Sequence, residues 1–198
     1  MNTLLLIGAG GHSKSIIDII LLNNSWKISG LIGLESQLNE NIMGFKVIGT
    51  DEDLYNLSKI HKNAFIAIGK IGKNDLRKKL IKKLLKYNFN FPVISSPNSY
   101  VSNFSTINYG TSIGHGAIIN CGVSIGKHSI INSSALIEHD SIIGNNCHIS
   151  TGVIINGGVN IGDNSFIGSN VVIREGLKIP SGTVISAGKR IMGWPLLD

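Results

Sequence analysis

From Ile107 onward every sixth residue is isoleucine, through Ile191, fifteen positions without a break, and Val101 extends the phase backward. Four residues after each isoleucine the side chain is usually small or β-branched, as at Thr111, Ala117, Val123, Ser129, Ala135, Ser141 and Cys147. The residue that follows the isoleucine is often Gly or Asn, as in "IGHGAI", "INCGVS" and "IGNNCH". A helix of period 3.6 cannot hold a six-residue stripe on one face, and no single strand is this long. A coil of short strands satisfies the pattern: isoleucine points inward, and the Gly or Asn after it is expected at a bend with positive φ. Stacked coils share one core and pair each other's backbone. The pattern predicts a parallel β-helix over residues 96–198.

The first ninety residues follow another rule. "TLLLIGAGGHSKSIIDIILLNN" reads as a buried strand, a glycine turn and a helix whose Ile16, Ile17, Ile20 and Leu21 recur at helical spacing. "ISGLIG" and "AFIAIG" read as further buried strands, and "TDEDLYNLSKI" as a second helix capped by Thr50 or Asp51. The expectation for residues 1–95 is a small α/β domain with a Rossmann-like parallel sheet. Gly8, Gly10 and Gly11 suggest part of a dinucleotide fingerprint, but Ser13 stands at the third glycine and the segment is half of a full dinucleotide fold. What survives is a strand-to-helix turn whose free N–H groups suit a polar or anionic group, with His12 beside it. A purely structural glycine turn is the alternative.

Charge narrows the choice of partners. The chain of 198 residues carries a net charge of +6, yet eight of its 18 lysines and arginines lie between Lys70 and Lys86, against one acid, Asp75. The rest of the chain has ten bases and eleven acids. Leu76, Leu80, Leu84 and Tyr87 mark this stretch as an amphipathic helix with a lysine face, solvated or steering anionic ligands. That confinement argues against nucleic acid. Cys121 and Cys147 form no metal-ligand spacing and read as free thiols. The histidines and carboxylates show no clustered ligand spacing either, so no metal is expected. The start lacks a basic n-region and no apolar stretch approaches membrane length, so a cytoplasmic protein without membrane insertion is expected.

The segment "ALIEHDSIIGNNCHISTG" interrupts the hexads with Glu138, His139 and Asp140. His139 lies away from the inward Ile137 and Ser141, where a catalytic histidine can reach solvent. A histidine suits proton removal near neutrality, and an adjacent carboxylate fixes its tautomer and stabilises the imidazolium. His115 and His128 lack such a neighbour and read as plain corner residues. Cys147 fills an inward slot and reads as core.

"LLIGAGGHSK", "FPVISSPNSYVS" and "IEHD", taken together, resemble the NeuD/PglD-type sugar acetyltransferases of the hexapeptide-repeat superfamily. The resemblance implies a left-handed β-helix with three hexads per coil, in a homotrimer whose sites lie between neighbouring helices. It implies His139 as general base, Asp140 as its orienting acid, Glu138 at the substrate, and His148 beside the thioester of acetyl-CoA. Gly157, Ser169, Ala187 and Gly188 match positions along the pantetheine arm, where glycine at coil corners is the competing explanation for Gly157 and Gly188. Gly10, Gly11, His12 and Gly69 match the sugar-substrate side. The family's Asp pair after the second strand is absent: "GLIGLES" offers only Glu35. The implied activity is acetyl-CoA-dependent N-acetylation of a nucleotide-linked 4-amino-6-deoxy sugar for bacterial surface glycans. O-acetylation of a sialic-acid-like sugar and a non-catalytic trimeric scaffold are the alternatives.

Overall fold

A computed structural model describes residues 2–70 and 76–195. Two compact units emerge: one contains the chain to Gly69 and the segment that ends at Ile94, the other Lys70 and the chain from Ser95 onward.

In the first unit, β1 (Thr3–Ile7), β2 (Lys27–Ile32), β4 (Phe45–Gly49) and β5 (Ala64–Ile66) run parallel, and β3 (Asn41–Ile42) closes one edge antiparallel to β4. The sheet order is β3-β4-β2-β1-β5. Alternate residues of the apolar strands serve opposite faces, as the pleat requires. Leu4, Leu6, Leu31 and Phe65 pack with Ile16, Ile17 and Ile20 of α1 (Gly11–Asn23). Leu5, Ile7, Ile32 and Ile66 pack with Leu54 of α2 (Leu54–Leu57) and with Leu80 and Leu84 of α3 (Leu76–Lys86). The hairpin β3–β4 is an element the hydrophobic pattern did not indicate. The second helix is shorter than expected, and neither Thr50 nor Asp51 caps it. Asp53 precedes it, with Oδ2 accepting from the Thr50 N–H at 2.8 Å.

Within the basic stretch, Lys79, Lys82 and Lys86 are exposed on α3, as a lysine face requires, but other bases are not. Lys73 and Asp75 lie outside the described residues. Arg77 is not on a solvated face: it is buried and donates to the carbonyls of Ile66 and Ile68, and burial lowers its pKa to about 10. Lys70 is 2% exposed, and its Nζ donates to the carbonyls of Asn146, Asn164 and Ser165 at 2.8, 2.5 and 3.2 Å. Three backbone acceptors match the three ammonium donors.

In the second unit, two-residue strands stack into three parallel sheets. Each pairs with the strand 18 residues on, for example Leu136–Ile137 with Ile154–Ile155. Three hexads therefore make one coil. The inward isoleucines from Ile113 to Ile191 are buried, with the small residues between them. Inward hydroxyls are satisfied by the next coil: Thr111, Ser129 and Ser141 donate to the carbonyls of Gly126, Gly144 and Asn156 at 2.8–3.0 Å.

The bend differs from the sequence expectation. Positive φ falls on the third residue after each isoleucine, at fourteen successive corners from Gly110 to Gly188, and not on the residue directly after it. Eight of these corners are Gly; the others are His128, Ser134, Asp140, Asn146, Asn164 and Asn170. The glycine directly after the isoleucine serves close approach instead. A Cβ on Gly114, Gly126, Gly144 or Gly168 would stand 2.5–2.6 Å from a backbone nitrogen of the next coil.

Candidate active site

Glu138, His139 and Asp140 occupy one corner, between the strands Leu136–Ile137 and Ile142–Ile143. Asp140 takes the left-handed corner position, φ 59°, a conformation that Asp tolerates better than most residues. This turn brings its Oδ2 to 2.9 Å from Nδ1 of His139. With Nδ1–H donating to the carboxylate, Nε2 carries the lone pair. Both side chains are open in the single chain, at 60% and 75% exposure. Backbone bonds fix the corner from both sides: Asp140 N–H donates to Cys121 O at 3.1 Å, and Gly158 N–H donates to His139 O at 2.9 Å. Glu138 is half-buried, and its Oε2 accepts from Asn120 Nδ2 at 2.9 Å. The corner therefore presents an imidazole flanked by two carboxylates, an arrangement chemically suited to proton abstraction.

The later sites of the hexads fall on two corners. Gly157 lies one coil beyond His139 on the same corner. Ser133, Thr151, Ser169 and Ala187 stack on another, as the bonds from Gly152, Asn170 and Gly188 N–H to the carbonyls of Ser133, Thr151 and Ser169 require. Ser169 Oγ is 3.1 Å from Ser150 Oγ, and Ala187 and Gly188 are exposed. This corner carries small side chains along its length, a smooth edge against which an extended arm can lie. The two corners border opposite edges of the sheet that contains Leu136–Ile137, Ile154–Ile155 and Val172–Ile173. His148 belongs to neither. It points out from a different sheet, is 7% exposed, and its Nδ1 lies 2.5 Å from the Lys70 carbonyl, with Phe166 edge-on at 5.3 Å between ring centres. The contacts of its ring are thus to Lys70 and Phe166. Cys147 is core as expected, its thiol pushed up to about 11 by burial.

In the first unit, a cavity of about 340 Å³ opens at the carboxyl ends of β1, β2 and β5. This is where an open parallel sheet with a strand-order reversal at β1 holds ligands. Gly10 is the one expected sugar-side residue in its lining; Gly33, Leu34, Gln37, Asp51 and Ile68, not anticipated as site residues, line it beside Gly8. Gln37 Nε2 donates to the Ala9 carbonyl at 3.3 Å and so ties the loop after β2 to the glycine turn. Glu35, expected as a stand-in for an Asp pair, is exposed and outside this lining; among the described residues Asp51 is the acid that lines it. His12 stands on the first turn of α1, and a Cβ on Gly69 would lie 3.7 Å from its Cβ.

The glycines here divide by cause. Gly8 has φ +125°, and an added Cβ would stand 2.7 Å from Ile68 Cγ1, so packing demands it. A Cβ on Gly10 or Gly11 would meet nothing within 4 Å, and neither has a positive φ. Among the described residues, no side-chain clash and no positive φ requires glycine at these two positions, so the turn leaves its backbone open to approach.

Among the described residues, no three His, Cys, Asp or Glu side chains group to hold a metal ion, and no helix is long and apolar enough to cross a membrane.

An α/β unit with a glycine turn, followed by a β-helix with an exposed His–Asp corner, defines a hexapeptide-repeat acyltransferase of the left-handed β-helix class. Residues 3–84 match the PglD N-terminal domain, and residues 158–190 match the hexapeptide repeat of succinyl-transferase. Comparison with curated protein sequences returned no match. Among solved structures, a His-to-Asn variant of perosamine N-acetyltransferase from Caulobacter crescentus, in complex with CoA and GDP-perosamine, is 27% identical with a TM-score of 0.90. The match covers 98% of this chain and 90% of that one. The acetyltransferase domain of PglB from Neisseria gonorrhoeae in complex with acetyl coenzyme A is 26% identical with a TM-score of 0.84, over 96% and 93% of the two chains. WeeI from Acinetobacter baumannii, 20% identical with a TM-score of 0.75 over 97% and 95%, shares the fold. The chain thus resembles solved sugar N-acetyltransferases of the hexapeptide-repeat superfamily along nearly its whole length, with a PglD-type N-terminal domain and hexapeptide repeats.

Proposed function

We propose that the protein transfers an acetyl group from acetyl-CoA to the amino group of a nucleotide-linked 4-amino-6-deoxy sugar, as a cytoplasmic homotrimer serving surface-glycan synthesis. The observation that carries this reading is the His139–Asp140 pair at 2.9 Å on an exposed corner. Acetyl-CoA supplies the acetyl group as an already activated thioester. His139 Nε2 takes the proton that the attacking sugar nitrogen must lose as the N–C bond forms. The C–S bond breaks, and the proton carried by the imidazolium returns to the departing sulfur. Asp140 holds Nδ1–H throughout and stabilises the imidazolium. Glu138, held by Asn120, faces the amine from the same corner.

Ser169, Ala187 and Gly188 form the edge suited to the pantetheine arm. In one chain this edge and the base are separated by a sheet face whose outward residues include Tyr100, Ile118, Leu136, Ile154 and Val172, with Tyr100 59% and Ile118 40% exposed. An apolar face between the two halves of a site supports assembly in which one copy supplies the base and its neighbour the edge. Gly10, Gly11, His12 and Gly69, with the cavity beside them, suit the nucleotide-sugar. A single apolar recess with few polar groups is the usual form of such a site.

Mass spectrometry of reactions containing acetyl-CoA and a panel of nucleotide-linked amino sugars and sialic acids tests the reading. One acetyl group gained on a sugar nitrogen is the expected result. Acetylation of sialic acid oxygens alone, or of nothing in the panel, would refute the assignment of acceptor.

A further inference from the structure

The second residue after each inward isoleucine occupies the outer edge of a corner. From Tyr109 to Ala187 there are fourteen such positions, and thirteen carry a side chain, among them His115, Lys127, Asn145 and Glu175. Only Gly157 does not; Gly193, the same position after Ile191, follows the last strand and has no further coil beyond it. The coil therefore has no architectural need for glycine at this position, and Gly157 does not have the positive φ that would call for one. The structure supplies a different reason. A Cβ on Gly157 would stand 2.7 Å from Nε2 and 2.8 Å from Cε1 of His139, one coil earlier. The imidazole lies with its proton-accepting edge over the bare Cα of Gly157. On the other side, Asp140 Oδ1 occupies the space where a side chain on Gly122 would project.

We propose that Gly157 is a positioning residue: its missing side chain is the seat that lets His139 keep Nδ1 on Asp140 while Nε2 stays open to the acceptor amine. This rests on reading His139 as the base. A methyl group at 157 either covers Nε2 or turns the ring, and turning it breaks the bond to Asp140. Nothing in this geometry concerns the pantetheine edge, which lies on a different corner.

The test is Gly157→Ala, which adds one methyl without backbone strain. Its kcat should fall about tenfold or more, as expected for partial loss of a general base, with acetyl-CoA affinity by calorimetry unchanged within about twofold. Nitrogen-15 spectra of the imidazoles, assigned by the signal missing in His139→Ala, should report the Nδ1–H tautomer in the parent and its loss in Gly157→Ala. The double variant His139→Ala/Gly157→Ala should be no slower than His139→Ala, since the loss runs through one ring. Gly182→Ala, whose methyl meets nothing within 4 Å at a strained corner, should keep parental turnover. An unchanged tautomer and kcat in Gly157→Ala would overturn the seat. So would weakened acetyl-CoA binding with normal kcat, which would return Gly157 to the cofactor edge. If His139→Ala itself kept full turnover, the base reading would fall, while the tautomer spectra would still decide the seat.

Discussion

Replacing Asp140 by glycine separates the carboxylate from the corner that carries it. The residue has φ 59°, and eight sister corners are already glycine, so Asp140→Gly relieves backbone strain rather than adding any. What is lost is the hydrogen bond from His139 Nδ1, 2.9 Å long, to a group that is charged when the imidazole accepts its proton. A bond between charged groups contributes about 1.5–3 kcal/mol, or roughly 10- to 150-fold in rate. Because Asp140 is 75% exposed in the single chain, the lower half of that range applies, about 10- to 45-fold in kcat. Asp140→Asn keeps an acceptor and tolerates the corner, so its loss should be about fivefold. Thiol release from acetyl-CoA at saturating substrates measures both variants, with a thermal melt beside each. Parental kcat in Asp140→Gly at an unchanged melting temperature would refute the orienting role. A lowered melting temperature would refute the corner argument.

Gly11→Val should weaken nucleotide-sugar binding about tenfold or more while leaving the melting temperature unchanged. A Cβ added there meets no described atom within 4 Å outside the helix's own first turn, so the side chain chiefly obstructs what approaches the helix N-terminus. Unchanged affinity by calorimetry, or a lost acetyl-CoA site with the sugar site intact, would contradict this. Cys147, with a pKa pushed up to about 11 and a buried side chain, should resist iodoacetamide at about pH 8 while the exposed Cys121 is alkylated. Intact mass should show one adduct on folded protein and two in denaturant; two adducts on folded protein would show that Cys147 is open.

The isoleucine period was enough to read the β-helix, because a six-residue stripe has few physical solutions. The conformation of the corner was misplaced by two residues. Gly is frequent at both places, once for left-handed backbone, as at Gly122, and once for close approach, as at Gly126, and composition does not separate the two causes. Lys70 and Arg77 read as part of a charged helix face because their acceptors are backbone carbonyls. The carbonyls that hold Lys70 lie 76 to 95 residues along the chain, and a carbonyl leaves no mark in a sequence. Asp51 was read as a helix cap, since nothing local shows that the loop after β4 lines the cavity at the ends of β1 and β2. His139 and Asp140 were legible as an acid–histidine break in a regular repeat. Gly157 was read as a pantetheine position or a coil corner; coils of 18 residues instead stack it on His139, the one histidine with an acid at its side.

The most direct test of the account is the turnover of His139→Ala, measured with both substrates shown by calorimetry to bind with near-parental affinity. Loss of a general base removes about a hundredfold or more from kcat, and the account predicts a loss of at least that size with binding retained. Near-parental turnover in His139→Ala would contradict it.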